Sequence, residues 1–124
     1  MKVPFLDLKI YSQEKDLLIS SVERVFDHGR FVMGPEIDDL EQKLARYCSR
    51  KYAVTVGSGT GALFLGLKAL DIGPEDEVIT TSLSWIATAN AIALTGAKPV
   101  FADINNDLNI DYKSVEKLIS EKTK

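Results

Sequence analysis

The sequence predicts an α/β fold, a three-layer α/β/α arrangement built on a parallel sheet. Three observations carry this expectation. Two amphipathic helical stretches open the chain, short β-rich runs alternate with helical stretches from residue 52 onward, and a glycine-rich loop joins the first run to its helix. The 124 residues suffice for a single domain, one that would bury roughly two-thirds of the surface its unfolded chain exposes. Within it, residues 1–51 supply helices and residues 52–124 a βαβαβα portion.

Val3-Pro4-Phe5 reads as an extended start. Leu17, Leu18, Val22, Val25 and Phe26 then recur at helical spacing until Gly29 offers a stop. Gly34 and Pro35 open a second helix, with Glu36, Asp38 and Asp39 in its electropositive first turn and Arg46, Arg50 and Lys51 near its other end. Its expected buried stripe is Ile37, Leu40, Leu44, Tyr47 and Cys48. Tyr52 to Val56 is the first strand, followed by GSGTGAL and a helix ending near Gly73. Glu77 to Thr81 and Lys98 to Ala102 are the next strands, separated by a helix from Trp85 to Thr95 that Gly96 stops. Asp111 caps a last helix reaching Glu121, with Val115, Leu118 and Ile119 turned inward. Three parallel strands followed by a crossover helix make an incomplete sheet, so the chain reads as the front part of a longer one. Its open edge predicts a homo-oligomer.

Composition narrows the function. Hydrophobic residues at 45% and charged residues at 27% fit an ordinary globular protein. The net charge of -3 is spread over 18 acids and 15 bases with no basic block, which argues against nucleic acid as a partner. Cys48 is the only cysteine, excluding an internal disulfide and suggesting a small buried hydrophobe. The N-terminal residues lack the apolar run of a signal peptide, and no stretch approaches the ~20 apolar residues of a membrane span. A cytoplasmic protein without membrane contact is expected.

The strongest chemical signal is GSGTGAL at 57–63. A glycine loop between a strand and a helix N-terminus exposes backbone N–H groups where the helix dipole favours an anion. Gly57, Gly59 and Gly61 permit close approach and positive φ, while Ser58 and Thr60 add hydroxyls suited to a phosphate monoester. The alternative is a tight turn with Thr60 as helix cap. A dinucleotide fingerprint fails because the following strand ends in Thr80, Thr81 and Ser82 instead of an acid, and a P-loop fails because Leu67 stands where lysine is required. The second signal is Trp85, the only tryptophan, at the strand–helix junction of SLSWIATANAI. Ligands of open α/β sheets sit beyond the carboxyl ends of strands, where an indole face can stack on a ring. The alternative is a core or staple residue.

GPEIDDLEQKLARY, GSGTGAL, WIATANAI and KPVFADI stand here in that order, and together they resemble the N-terminal part of the DegT/StrS-type sugar aminotransferases over essentially the whole chain. The resemblance implies the N-terminal part of the large domain of a pyridoxal 5'-phosphate transferase with the aspartate-aminotransferase fold. It implies a homodimer moving an amino group from an amino acid to a keto group on a nucleotide-linked sugar. Carried across, Thr60 and the backbone of Gly59 and Gly61 would hold the cofactor phosphate, and Trp85 would stack on the pyridine ring. Gly61 stands where the family more often has alanine. The acid that pairs the ring nitrogen and the Schiff-base lysine have no counterpart in these residues, so the cofactor site is partial, no catalytic residue is assigned and the isolated chain is expected to be inactive. A related sugar dehydratase and a non-catalytic phosphate-ligand or dimerisation module are the alternatives.

No metal site is expected. Asp107, Asn109 and Asp111 begin with calcium-loop spacing, but Tyr112 and Leu118 replace its glycine and closing glutamate, leaving turn and cap residues. His28 reads as a helix-end or exposed residue, and Asp103 as a solvated turn residue at the end of a strand.

Overall fold

The computed structural model describes residues 3, 5, 6 and 8–124; Pro4 of the expected extended start lies outside them. They fall into two compact units, one ending at Val54 and the other spanning Thr55–Lys124.

The first unit holds helices α1 (Ser12–His28) and α2 (Pro35–Tyr47). Gly29 ends α1 as expected, with φ of 67° and its N–H donating to the Val25 carbonyl at 2.9 Å. Proline stands at the start of α2, where its missing N–H costs nothing. The turn between the helices depends on Gly34, which is buried, because a Cβ there would lie 2.7 Å from the Arg30 carbonyl oxygen and 2.9 Å from Glu36 Oε2. His28 closes the same turn. Its Nδ1 accepts the Arg30 N–H at 3.1 Å, so Nε2 carries the proton and faces Glu36 Oε1 at 3.0 Å. That contact holds the Glu36 carboxyl below its ordinary pKa.

The expected apolar stripes of these helices are not buried. Leu17, Leu18, Val22 and Phe26 of α1 are exposed, as are Leu40, Leu44, Tyr47 and Cys48 along α2, where Ala45 alone is buried. Helical periodicity specifies which face seeks cover, and no described element supplies that cover. Cys48 is accordingly not the buried hydrophobe the sequence suggested.

The second unit contains α3 (Gly59–Ala69), β1 (Glu77–Thr81), α4 (Ala87–Leu94), β2 (Lys98–Ala102) and α5 (Tyr112–Leu118). β1 and β2 pair in parallel from Glu77 opposite Lys98 to Thr81 opposite Ala102. α4 is the crossover between them and packs on both strands and on α3, while α5 packs on β2. The core is small: Ile72, Ile92 and Ala97 are buried, with Leu67 and Val78 against them.

The expected strand at 52–56 is absent from the sheet, which has two strands among the described residues. The period-two pattern survives there, with Ala53 and Thr55 half-buried and Tyr52, Val54 and Val56 exposed. β1 has only two edges to offer. β2 holds one throughout, and the other is engaged at Glu77 by the segment after α5. Glu77 N–H donates to the Lys122 carbonyl at 2.8 Å, and Lys124 N–H donates to the Glu77 carbonyl at 3.1 Å, forming a parallel bridge with Thr123. The chain after α5 thus turns back onto β1. α5 itself ends at Leu118, short of Glu121, and Ile119 is exposed, because Ser120 to Thr123 make this return.

Glu77 also ties the three segments through its side chain, whose Oε1 receives Lys98 Nζ at 2.9 Å and Oε2 the Ser120 hydroxyl at 2.8 Å. The Lys98 contact first, then the Ser120 bond, hold this carboxyl below its ordinary pKa of 4.5. A carboxyl lowered in the folded state stabilises above its unfolded pKa, and that contribution fades as pH falls through the lowered value. The urea midpoint of Glu77→Gln should therefore lie below wild type at neutral pH, and the gap should close as pH falls below 4.5; a gap independent of pH would contradict the assignment.

Gly96 reaches φ of 90°, and a Cβ there would lie 2.9 Å from Pro74 Cγ. Gly96→Ala should cost about 1–2 kcal/mol from the left-handed backbone alone, with the Pro74 contact adding to it. Urea unfolding at unchanged slope measures this, and an unshifted midpoint would refute it.

Candidate functional site

The glycine loop begins α3 as the sequence suggests, but Ser58 is the cap. Its backbone is extended, and its Oγ accepts the Gly61 N–H at 3.0 Å while its carbonyl accepts Ala62 N–H at 2.9 Å. Thr60, the alternative cap in the sequence, is the second helical residue and half-buried. Gly59 and Thr60 present N–H groups of a first turn, which have no acceptor within the helix. None of Gly57, Gly59 and Gly61 has positive φ, contrary to expectation. The helix starts at Gly59, so these glycines contribute bare backbone and not left-handed turns. A Cβ at Gly57 or Gly59 would meet open space, and one at Gly61 would stand 3.3 Å from Ser58 Oγ.

Trp85 lies in the loop between Thr81, the carboxyl end of β1, and the first residue of α4, Ala87, which is two residues later than expected. The Trp85 carbonyl instead accepts Thr88 N–H at 3.0 Å in a tighter turn ahead of the helix. The indole is 79% exposed, which removes the reading of Trp85 as a core residue. It borders a cavity of about 170 Å³ together with Thr81, Ser84, Thr88 and Phe101. Thr88 also lines a second, apolar cavity of about 370 Å³ with Ala62 and Leu63 from the first turns of α3 and with Thr80 of β1. Gly59, Thr60 and Gly61 thus begin the helix whose first turns share a cavity with Thr88, and Thr88 in turn borders the space beside Trp85.

Thr88 is the residue sequence reasoning missed. Its signal was spacing: Ser84 and Thr88 stand one helical turn apart, with Trp85 between them. The other candidates behave as structural residues. Asp107 accepts the Asn109 N–H at 3.1 Å and its Nδ2 at 3.2 Å, and the Asn109 side chain holds its carboxyl below the ordinary range. Asp111 caps α5 through Lys113 N–H at 3.0 Å. The Asp103 backbone joins this loop to α5 through Ser114 Oγ at 3.0 Å and Asp111 N–H at 2.8 Å. Among the described residues no group of three potential metal ligands exists, and no helix is long and apolar enough to cross a membrane.

The model of the DegT/DnrJ/EryC1/StrS aminotransferase family matches residues 12–124. The chain belongs to this family. It is 40% identical over 124 residues to UDP-2-acetamido-2-deoxy-3-oxo-D-glucuronate aminotransferase of Pseudomonas aeruginosa, covering 98% of this chain and 34% of that enzyme. Among solved structures, Streptomyces venezuelae DesV in complex with a ketimine intermediate aligns with a TM-score of 0.91 and 43% identity, over 98% of this chain and 33% of the other. NtdA of Bacillus subtilis with bound cofactor PMP aligns with a TM-score of 0.93 and 36% identity, over 99% and 29%. The chain spans about one third of the length of these relatives. For this DegT/DnrJ/EryC1/StrS family member, the N-terminal resemblance and the α/β architecture read from the sequence both hold.

The cap assignment carries a stability consequence. Ser58→Ala should cost about 1 kcal/mol and Ser58→Gly only a few tenths, read as urea midpoints. Equal stability of Ser58→Ala and wild type would show that Gly61 N–H finds an equivalent partner in water.

Proposed function

We propose that this chain supplies the phosphate-holding and ring-stacking part of a pyridoxal-phosphate-dependent aminotransferase acting on a nucleotide-linked keto-sugar. The observation carrying this is the start of α3. Two N–H groups without helical acceptors and the hydroxyls of Ser58 and Thr60 gather at one helix N-terminus, while the exposed indole of Trp85 stands at the carboxyl end of β1. The donor set fits a phosphate monoester: all are neutral donors, and the helix end adds a favourable dipole. Gly59 and Gly61 let the anion reach the backbone closely. Ser58, as a hydroxyl, can keep accepting from Gly61 N–H while turning its own proton toward the anion.

Pyridoxal phosphate, when bound, supplies the electron sink for moving an amino group. The part played by these residues is to bind and orient. Thr60 and the backbone N–H groups of Gly59 and Thr60 would fix the phosphate end, Gly61, whose N–H donates to Ser58 Oγ, would add only bare backbone beside it, and Trp85 would cover one ring face and shield it from water. None of them moves a proton in the reaction, so the isolated 124 residues should bind weakly and should not transaminate. Amino-acid and nucleotide-sugar substrates belong, in this reading, to the full-length assembly, a cytoplasmic homo-oligomer. The open edge of β1 beyond Glu77 and the exposed apolar stripe of α1 support association.

Titration with pyridoxal phosphate, followed through the single tryptophan, tests the site. Quenching should be saturable, reversed by inorganic phosphate, and shifted roughly fivefold or more to weaker binding in Thr60→Val, as loss of about 1 kcal/mol or somewhat more implies. Quenching indifferent to both phosphate and Thr60→Val would show that the glycine loop is only a turn.

A further inference from the structure

We infer that Thr88 is the positioning residue that sets Trp85 for ring stacking, an inference that rests on the stacking role proposed above. The indole is 79% exposed, so packing around the ring does little to hold it. Its placement falls to the backbone on either side. Thr88 holds that segment twice, once through its backbone and once through the Ser84 side chain. Its N–H donates to the Trp85 carbonyl at 3.0 Å, and its Oγ1 lies 2.9 Å from Ser84 Oγ, one hydroxyl donating to the other. The first bond is available to any residue that continues the turn. The second requires a hydroxyl at both positions, and it spans from the first turn of α4 across Trp85 to the residue before it.

A third contact anchors the far side of the loop, where Leu83 N–H donates to Thr81 Oγ1 at 3.2 Å. The segment bearing Trp85 is therefore tied to the end of β1 and to α4. Thr88 is the only one of these anchors that also lines the cavity reached by the first turns of α3. Half-buried, it borders both the cavity lined by Ala62 and Leu63 of α3 and the space beside Trp85, and so links the helix that begins at the phosphate-holding turn to the place where the ring is covered. In a ligand whose phosphate is joined to its ring by a short tether, that relation limits whether both contacts form at once.

The experiment uses the intact chain and its single tryptophan. In ligand-free protein, time-resolved anisotropy should show a larger nanosecond local component in Thr88→Val, while Thr88→Ser, which keeps the hydroxyl, should match wild type. Ser84→Ala, altering an exposed position that leaves α4 intact, should reproduce Thr88→Val and guards against a folding defect in the threonine variant. Binding should divide in the same way. Thr88→Val and Ser84→Ala should weaken pyridoxal phosphate roughly fivefold, the effect of one hydrogen bond, yet leave the competing constant for inorganic phosphate unchanged. Anisotropy of Thr88→Val equal to wild type, or Thr88→Ser behaving like Thr88→Val, would overturn the positioning role. Loss of phosphate competition together with pyridoxal phosphate binding would also overturn it, as the effect would then lie at α3. A wild-type chain whose fluorescence ignores pyridoxal phosphate would defeat the stacking reading separately, because the anisotropy measurement needs no ligand.

Discussion

Glu77 is the point on which the second unit turns. It is the first residue of β1, opposite Lys98 of β2, and its N–H and carbonyl both bond the segment after α5. Its carboxylate holds one partner from each flank, Lys98 and Ser120. Each contact alone would be modest at a half-exposed site. Their value is geometric, because three chain segments distant in sequence converge on one residue and so share one register. A one-residue slip of β1 would reverse the faces of Val78 and Ile79 and remove Val78 from the Ile72, Ile92 and Ala97 cluster. With the start of β1 fixed, its far end at Thr81 lies opposite Ala102, and the Trp85 loop leaves the sheet from a defined position.

The helices of the first unit show the complementary case, in which local geometry is specified while burial is not. Gly29 and Gly34 shape the turn, and the neutral tautomer of His28 bridges Arg30 N–H and Glu36. Nothing in this arrangement covers Leu17, Leu18, Val22 or Phe26. The secondary structure of α1 and α2 is set by caps and spacing, whereas the fate of their apolar faces is decided by elements outside the pair.

That distinction explains how much was legible in the sequence. β1, β2 and the helix ends marked by Gly29, Pro35 and Asp111 were readable because a helix-end residue or a β-rich run acts within a few neighbours. The segment 52–56 has the same β-rich signature and still forms no strand among the described residues, since β propensity says that a segment suits a sheet but supplies no ladder partner. Exposure of Cys48 and Tyr47 was unreadable for a related reason: periodicity names a face but not its partner. At the site, Gly59, Thr60, Gly61 and Trp85 were visible through the glycine loop and the lone indole. Ser58 as the cap and Thr88 as the neighbour of both cavities required coordinates, because each depends on which hydroxyl reaches which N–H or hydroxyl.

Ser58 gives the start of α3 two compatible conditions. Without an anion, its hydroxyl occupies the Gly61 N–H, so the helix start is not left with a third unsatisfied donor, and the exposed glycine loop keeps a defined shape. With an anion, the same oxygen need not leave, since one hydroxyl can accept from Gly61 while donating outward. Had Thr60 been the cap, its side chain would have been committed to the helix and withdrawn from a ligand. Placing the cap at Ser58 leaves the Thr60 hydroxyl available at the second helical position. The order serine, glycine, threonine, glycine therefore separates holding the helix from holding the phosphate, and the glycines on either side of Thr60 keep the backbone within reach of both.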